Sequence, residues 1–186
     1  MYRKGSSMME NTRQQRGSKE QKIRHSLLRR IGIGRTAIIL LLAFTLLNQL
    51  LFWLKVNYHF LFSAAVPYYL NRMAREFGAA GVTPLKVIAG LVSPIYFVAF
   101  GACWLLSAQR RDIIKTAMLL YCADTLLLVV VALGFIEDPM TCLLELLVHL
   151  IGVIILYDAN RSARQLRRMS KKKKTRPVTQ QPEHSY

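Results

Sequence analysis

The chain has 186 residues, of which 53% are hydrophobic and only 19% charged, yet its formal net charge is +16. The apolar residues fall in four long runs, and the basic residues lie between and outside them. That segregation excludes a soluble nucleic-acid-binding domain, which intersperses its charges, and a disordered basic chain, which lacks apolar runs; a small integral membrane protein remains, with nucleic acid not an expected partner.

Residues 1–35 form a basic N-terminal segment. Its first part, to Ser18, is rich in Gly, Ser, Asn and Gln and reads as disordered. Residues 19–31 read as an amphipathic helix with Ile23, Leu27 and Ile31 on one face and Lys22, Arg24, Arg29 and Arg30 around it. Gly32 and Gly34 then read as a juxtamembrane hinge, because no strand precedes them to make a nucleotide-binding turn.

A membrane helix needs about 20 apolar residues. The first such run spans about 36–54, between Arg35 and Lys55. It is too long and too far from the start for a signal peptide, so it reads as a retained anchor.

The loop 55–86 is rich in aromatic residues. Within it Val66, Tyr69, Leu70, Met73 and Phe77 recur at helical spacing, with Asn71, Arg72, Arg75 and Glu76 on the other face. Pro67 suits the first turn and Gly78 the C-terminal cap. The spacing predicts an interfacial amphipathic helix over 66–77, anchored on the outer leaflet beside Trp53 and covering the outer end of the bundle. A lid over an outward-facing vestibule is the alternative.

The second span covers about 87–108, opened by Thr83 and Pro84. It carries a stripe of Ala89, Ser93, Phe97 and Gly101, with Pro94 inviting a kink. The third span covers about 116–135 and contains Asp124; the fourth covers about 140–157 and contains Glu145 and His149. Glu137, Asp138 and Pro139 make a tight turn between them. Residues 158–186 are a basic tail that reads as disordered after 175. The chain thus divides into 1–35, a four-helix transmembrane domain over 36–157, and 158–186. The fold class is an all-α membrane bundle.

Orientation follows from Lys and Arg. Ten precede the first span, three lie around Arg110, nine follow the fourth span, and four lie in 55–86. Both termini inside places 22 of the 26 on the cytoplasmic side. Arg29, Arg30, Arg35, Arg167 and Arg168 are the expected contacts for anionic lipid headgroups, although such charges chiefly set topology.

The buried ionisable residues carry whatever chemistry the chain has. With a rise of about 1.5 Å per residue, Asp124 and His149 lie at one level near the bilayer centre, and Glu145 and Asn48 lie about one turn further out. Tyr121 shares the Asp124 face. A short turn makes the third and fourth spans antiparallel neighbours, so Asp124 should face His149. Charges at that depth are costly and need one another or water.

Four readings of Asp124, Glu145, His149, Asn48 and Tyr121 follow, in this order. They form a polar knot holding helices together, an ion or proton relay, a metal site of Glu145, His149 and Asp124, or an acid/base pair in an enzyme acting on lipid. One histidine is few for a metal. No nucleotide, hydrolase or zinc-protease motif is present, and no cofactor is implied. Cys103, Cys122 and Cys142 imply no disulfide framework.

The functional expectation is a small transporter, channel or accessory subunit using the Asp124–Glu145–His149 level. The alternative is a non-transporting scaffold or assembly factor. Four short spans bury little interior, which leaves room for a second copy or a larger membrane complex. The expected location is a plasma membrane or bacterial inner membrane.

Overall fold

The computed structural model describes residues 4–56, 58–79, 83–135 and 139–174. Its elements are α1 (Lys4–Trp53), α2 (Ala65–Ala79), α3 (Thr83–Leu106), α4 (Ile113–Phe135) and α5 (Pro139–Lys174). All but α2 are long and apolar enough to cross a membrane. Their outward faces carry exposed leucines such as Leu46, Leu126, Leu133 and Leu147. Contiguous apolar surface of that kind suits hydrocarbon rather than water. The turn at Glu137 and Asp138 and the tail after 175 lie outside the described residues.

The bundle is organised by a heptad seam. On α1 one buried stripe runs Leu27, Ile31, Gly34, Ile38, Leu41, Thr45 and Asn48, alternately four and three apart, with Ala37 and Gln49 buried beside it. On α5 the matching stripe runs Glu145, His149, Gly152, Leu156, Ala159, Ala163 and Leu166, with Asn160 and Ser162 buried beside it. A repeat averaging 3.5 residues keeps one stripe of each helix facing its neighbours over many turns. The helices run antiparallel, and Gly34 meets Ala159 so closely that a Cβ on Gly34 would collide with that of Ala159. Leu27, Ile31, Ala159, Ala163 and Leu166 close the basic end together with Ile114 of α4. Further along, Ile38, Leu41, Phe100, Ala117, Tyr121 and Leu156 form the central core.

This seam corrects two expectations. Residues 31–34 are no hinge: α1 is one helix from Lys4 through Trp53, and Gly34 serves close helix approach. Residues 4–17 are helical rather than disordered, because a nucleated helix extends at one hydrogen bond per residue. Ile23 is exposed, since the four-three spacing steps back from Leu27 to Arg24 instead.

Helix α2 runs through Gly78 to Ala79, one residue past the expected cap; Gly78 instead lies against the Lys86 side chain. Its polar face is not all outward. Asn71 Nδ2 donates to Gln49 Oε1 and Ser93 Oγ, both at 3.0 Å, bridging α1 and α3. Arg75 donates to the Phe52 carbonyl at 3.0 Å and covers the Phe52 ring at 4.0 Å. Arg72 pairs with Glu76 at 2.9 Å along the helix. Val66 and Ala74 are buried, whereas Phe77, expected inward, is exposed.

Candidate functional site: a buried acid and imidazole at the start of α2

Helix α2 begins without a capping side chain of its own: Ala64 and Ala65 occupy the positions where Ser, Thr, Asp or Asn would serve. Its first N–H groups are satisfied from other helices. The Ala64 N–H donates to Thr45 Oγ1 at 2.8 Å. The Ala65 and Val66 N–H groups donate to Asp124 Oδ2 and Oδ1, each at 2.9 Å. Pro67 has no N–H to satisfy. Asp124 sits midway along α4, eleven residues from either end, so this end of α2 is sunk deep among the helices. The spacing of residues 66–77 predicts a helix lying at the interface; the N-terminus of α2 instead points into the bundle, at the middle of α4.

The preceding loop is fastened by α1. Asn48 Nδ2 donates to the Phe60 carbonyl at 2.8 Å and to Ser63 Oγ at 2.7 Å, and its Oδ1 accepts the Phe60 N–H at 2.6 Å. Asn48 therefore pins the loop and is not hydrogen-bonded to Asp124 or His149, with which the sequence reading grouped it.

Asp124 and His149 are fully buried and Glu145 nearly so. His149 Nε2 is 3.3 Å from Asp124 Oδ2, and its Nδ1 is 2.9 Å from the Glu145 carbonyl one turn back. A carbonyl only accepts, so Nδ1 carries a hydrogen. The Nε2–Oδ2 contact then needs one further proton, on the imidazole or on the acid. The pair is either imidazolium with carboxylate or two neutral groups, and one proton separates it from an unpaired buried charge. Tyr121 stacks on His149 with centroids 5.2 Å apart. Gly152 makes room for it: a Cβ there would lie 2.5 Å from Tyr121 Cε1. The Tyr121 hydroxyl is buried without a protein partner.

Glu145 faces a second group of residues. Tyr69 donates its hydroxyl to Glu145 Oε2 at 2.7 Å, and His59 Nε2 lies 3.9 Å from the same oxygen. Burial, and then the Glu145 charge and hydrogen bond, push the Tyr69 phenol well above its ordinary range, so it stays a donor. His59 stacks on Tyr68 at 4.6 Å.

Tyr69, His59, Thr45 and Tyr96, which faces Asp124 from α3, are members that sequence reasoning missed. One signal was available: a helix start with no local cap implies a cap from elsewhere.

No three His, Cys, Asp or Glu side chains among the described residues group as metal ligands. Both His149 nitrogens and both Asp124 oxygens are already engaged, which argues against the metal reading of Glu145, His149 and Asp124. At the basic end, three of the five expected headgroup contacts are held by protein. Arg30 pairs with Asp158 at 2.9 Å, Arg35 donates to Ser107 at 3.2 Å, and Arg167 takes both oxygens of Asp112 at 2.8 and 2.7 Å. Arg29, Arg30, Arg167 and Arg168 are all exposed, so the two ion pairs leave those side chains open to solvent.

Comparison of the chain with protein-family models, with curated proteins and with solved structures found no match in any of the three.

Proposed function

We propose that this chain is a small multi-pass membrane transporter, channel or accessory subunit in which a proton held by Asp124 and His149 governs the seating of α2. One observation carries the reading: the carboxylate that caps α2 in the middle of the bundle is the same one that shares a proton with a buried imidazole. A helix N-terminus carries partial positive charge and favours an anion. A second proton on the pair would neutralise the carboxylate and leave an imidazolium facing that end, weakening the cap. In transporters, half-helices whose N-termini end at mid-membrane hold anionic groups there.

The charge asymmetry of the loops supports both termini inside and α2 on the outer side; the membrane we propose is a plasma or bacterial inner membrane. Arg29, Arg30, Arg167 and Arg168, all exposed, and Arg35 are the candidates for anionic headgroups. The test uses the full chain in liposomes under a pH gradient, with proton entry followed by an internal dye. Uptake by the native chain that falls to the level of empty vesicles in Asp124→Asn and in His149→Gln supports the reading.

The second reading is a non-transporting scaffold, alone or in a larger complex. It is favoured by the complete hydrogen bonding of Asp124 and His149 within the chain. Membrane helices use such buried bonds as glue. A native chain with no proton uptake, whose variants lose only stability, supports this reading instead.

A further inference from the structure

At the basic end, α1 and α5 run on together past the four apolar runs. Asp158 directly follows Tyr157, the last residue of the fourth run, and α5 continues to Lys174. Leu27 and Ile31 of α1 pack there against Ala159, Ala163 and Leu166 of α5. Beside this packed seam lies a cleft of about 510 Å³. Lys22, Ser26 and Arg30, each one turn from the next, line it from α1; Asp158, Arg161 and Gln165 line it from α5.

Three cations and one carboxylate are thus in the lining. Arg30 pairs with Asp158 at 2.9 Å. Lys22 and Arg161 are exposed and in no ion pair among the described residues. Two positive charges of the cleft are left unmatched, with Ser26 and Gln165 as neutral donors beside them.

We infer that this cleft seats the headgroup of an anionic lipid that carries a phosphate monoester, of the phosphorylated-inositol kind. A phosphate monoester brings about −1.5 to −2 charges near neutral pH, which balances the cations left over in the lining. A phosphodiester alone brings less. Guanidinium and ammonium groups bind such oxygens by charge-assisted hydrogen bonds. Lys22 lies two turns beyond Arg30 along α1, about 12 Å further from the apolar runs. A headgroup lying flat on the bilayer does not reach that far, whereas a phosphate on a ring that stands out from it does. Basic clefts between membrane helices on the cytoplasmic side bind lipid headgroups of this class. The inference rests on the proposed orientation for the leaflet that supplies the lipid, and not on the proton reading.

The test is isothermal titration of the full chain in mild detergent with short-chain lipids. These reach the cleft whichever way the chain sits in a membrane, so a wrong orientation and a wrong cleft are told apart. The probe is dioctanoyl phosphatidylinositol monophosphate. It is compared with dioctanoyl phosphatidylinositol, which lacks the monoester, and with the water-soluble inositol bisphosphate headgroup. The monophosphate should bind roughly tenfold more tightly than phosphatidylinositol, the worth of one charge-assisted hydrogen bond. The soluble headgroup should bind at least roughly tenfold more weakly than the lipid, because acyl chains hold the lipid in the micelle beside the cleft.

Lys22→Gln and Arg161→Gln should each weaken the monophosphate about fivefold. Lys19→Gln and Arg164→Gln remove the same charge from exposed positions outside the cleft. They should change binding by less than about twofold, because solvent and salt screen them. All four side chains are exposed, so none of these variants disturbs the packed seam.

Equal losses in the four variants would mean diffuse attraction to a basic surface and overturn the proposal, as would equal affinity for the two lipids. A soluble headgroup that binds as tightly as the lipid would show a site for a free phosphorylated ligand, which also overturns it.

Discussion

Asp124 and Val66 lie 58 residues apart, yet the Asp124 carboxylate accepts the Val66 N–H at 2.9 Å, so one helix is capped by the middle of another. Helix caps are ordinarily local, and a capping side chain contributes on the order of 1 kcal/mol. Here the cap is also half of a buried acid–imidazole pair. Removing it strands an imidazole and two backbone donors together.

Asp124→Ala should therefore destabilise the bundle by about 3–5 kcal/mol, the range for breaking a buried charged pair. Asp124→Asn keeps one acceptor and should cost about 1–3 kcal/mol. Pairing Asp124→Ala with His149→Leu should cost less than the sum of the single changes, because the second removes the group that the first leaves unpaired. Thermal unfolding in mild detergent measures all four. Strict additivity would show that the two side chains do not interact.

Gly32 and Gly34 offer a matched pair of opposite sign. Gly34→Ala meets the Ala159 side chain and should destabilise by about 1–3 kcal/mol through overpacking. Gly32→Ala meets nothing within 4 Å and should stabilise α1 by about 0.5–1 kcal/mol, the helix preference of alanine over glycine. The same unfolding assay reads both. Equal effects would mean that α1 and α5 do not pack at Gly34.

Gly152→Ala should push Tyr121 off His149, since the new methyl would sit 2.5 Å from Tyr121 Cε1. The expected cost is about 1–3 kcal/mol. Tyr121→Leu in that background should recover part of it, as a smaller side chain leaves room for the methyl. Failure to recover would place the strain elsewhere.

Tyr69 gives a pH dependence of defined sign. Its phenol is pushed up from the ordinary value of 10.0 by burial and by Glu145. The folded chain thus holds this proton more tightly than the unfolded chain. Stability from this group is complete below pH 10 and is lost as pH rises above it. Tyr69→Phe should show a shallower fall in stability above that pH. It should also cost about 1–3 kcal/mol at neutral pH, because it leaves Glu145 Oε2 without its phenol donor. Melting temperature against pH for both chains checks the slope; parallel slopes would mean that Tyr69 ionises as freely folded as unfolded.

The four apolar runs alone determined that this chain has four helices able to cross a membrane, because in hydrocarbon a backbone segment of that length has only the helix to satisfy its polar groups. Residues 66–77 were legible as a helix from their spacing, and Asp124, Glu145 and His149 stood out as charges among leucines. The heptad seam of Leu27, Ile31, Gly34 and Ile38 was also present in the sequence. It was hidden because leucines on every face blur the stripe, and only burial against α5 separates it from the lipid-facing residues.

Tertiary structure decided the rest. Whether Asn71 faces out or bridges Gln49 and Ser93, whether Asn48 joins the acid–imidazole pair or pins a loop, and where α2 points all depend on long-range partners. Periodicity reports which side of a helix is apolar. It does not report that a carboxylate on α4 stands where the first two N–H groups of α2 need an acceptor, and that coincidence, the basis of the site, is set by packing.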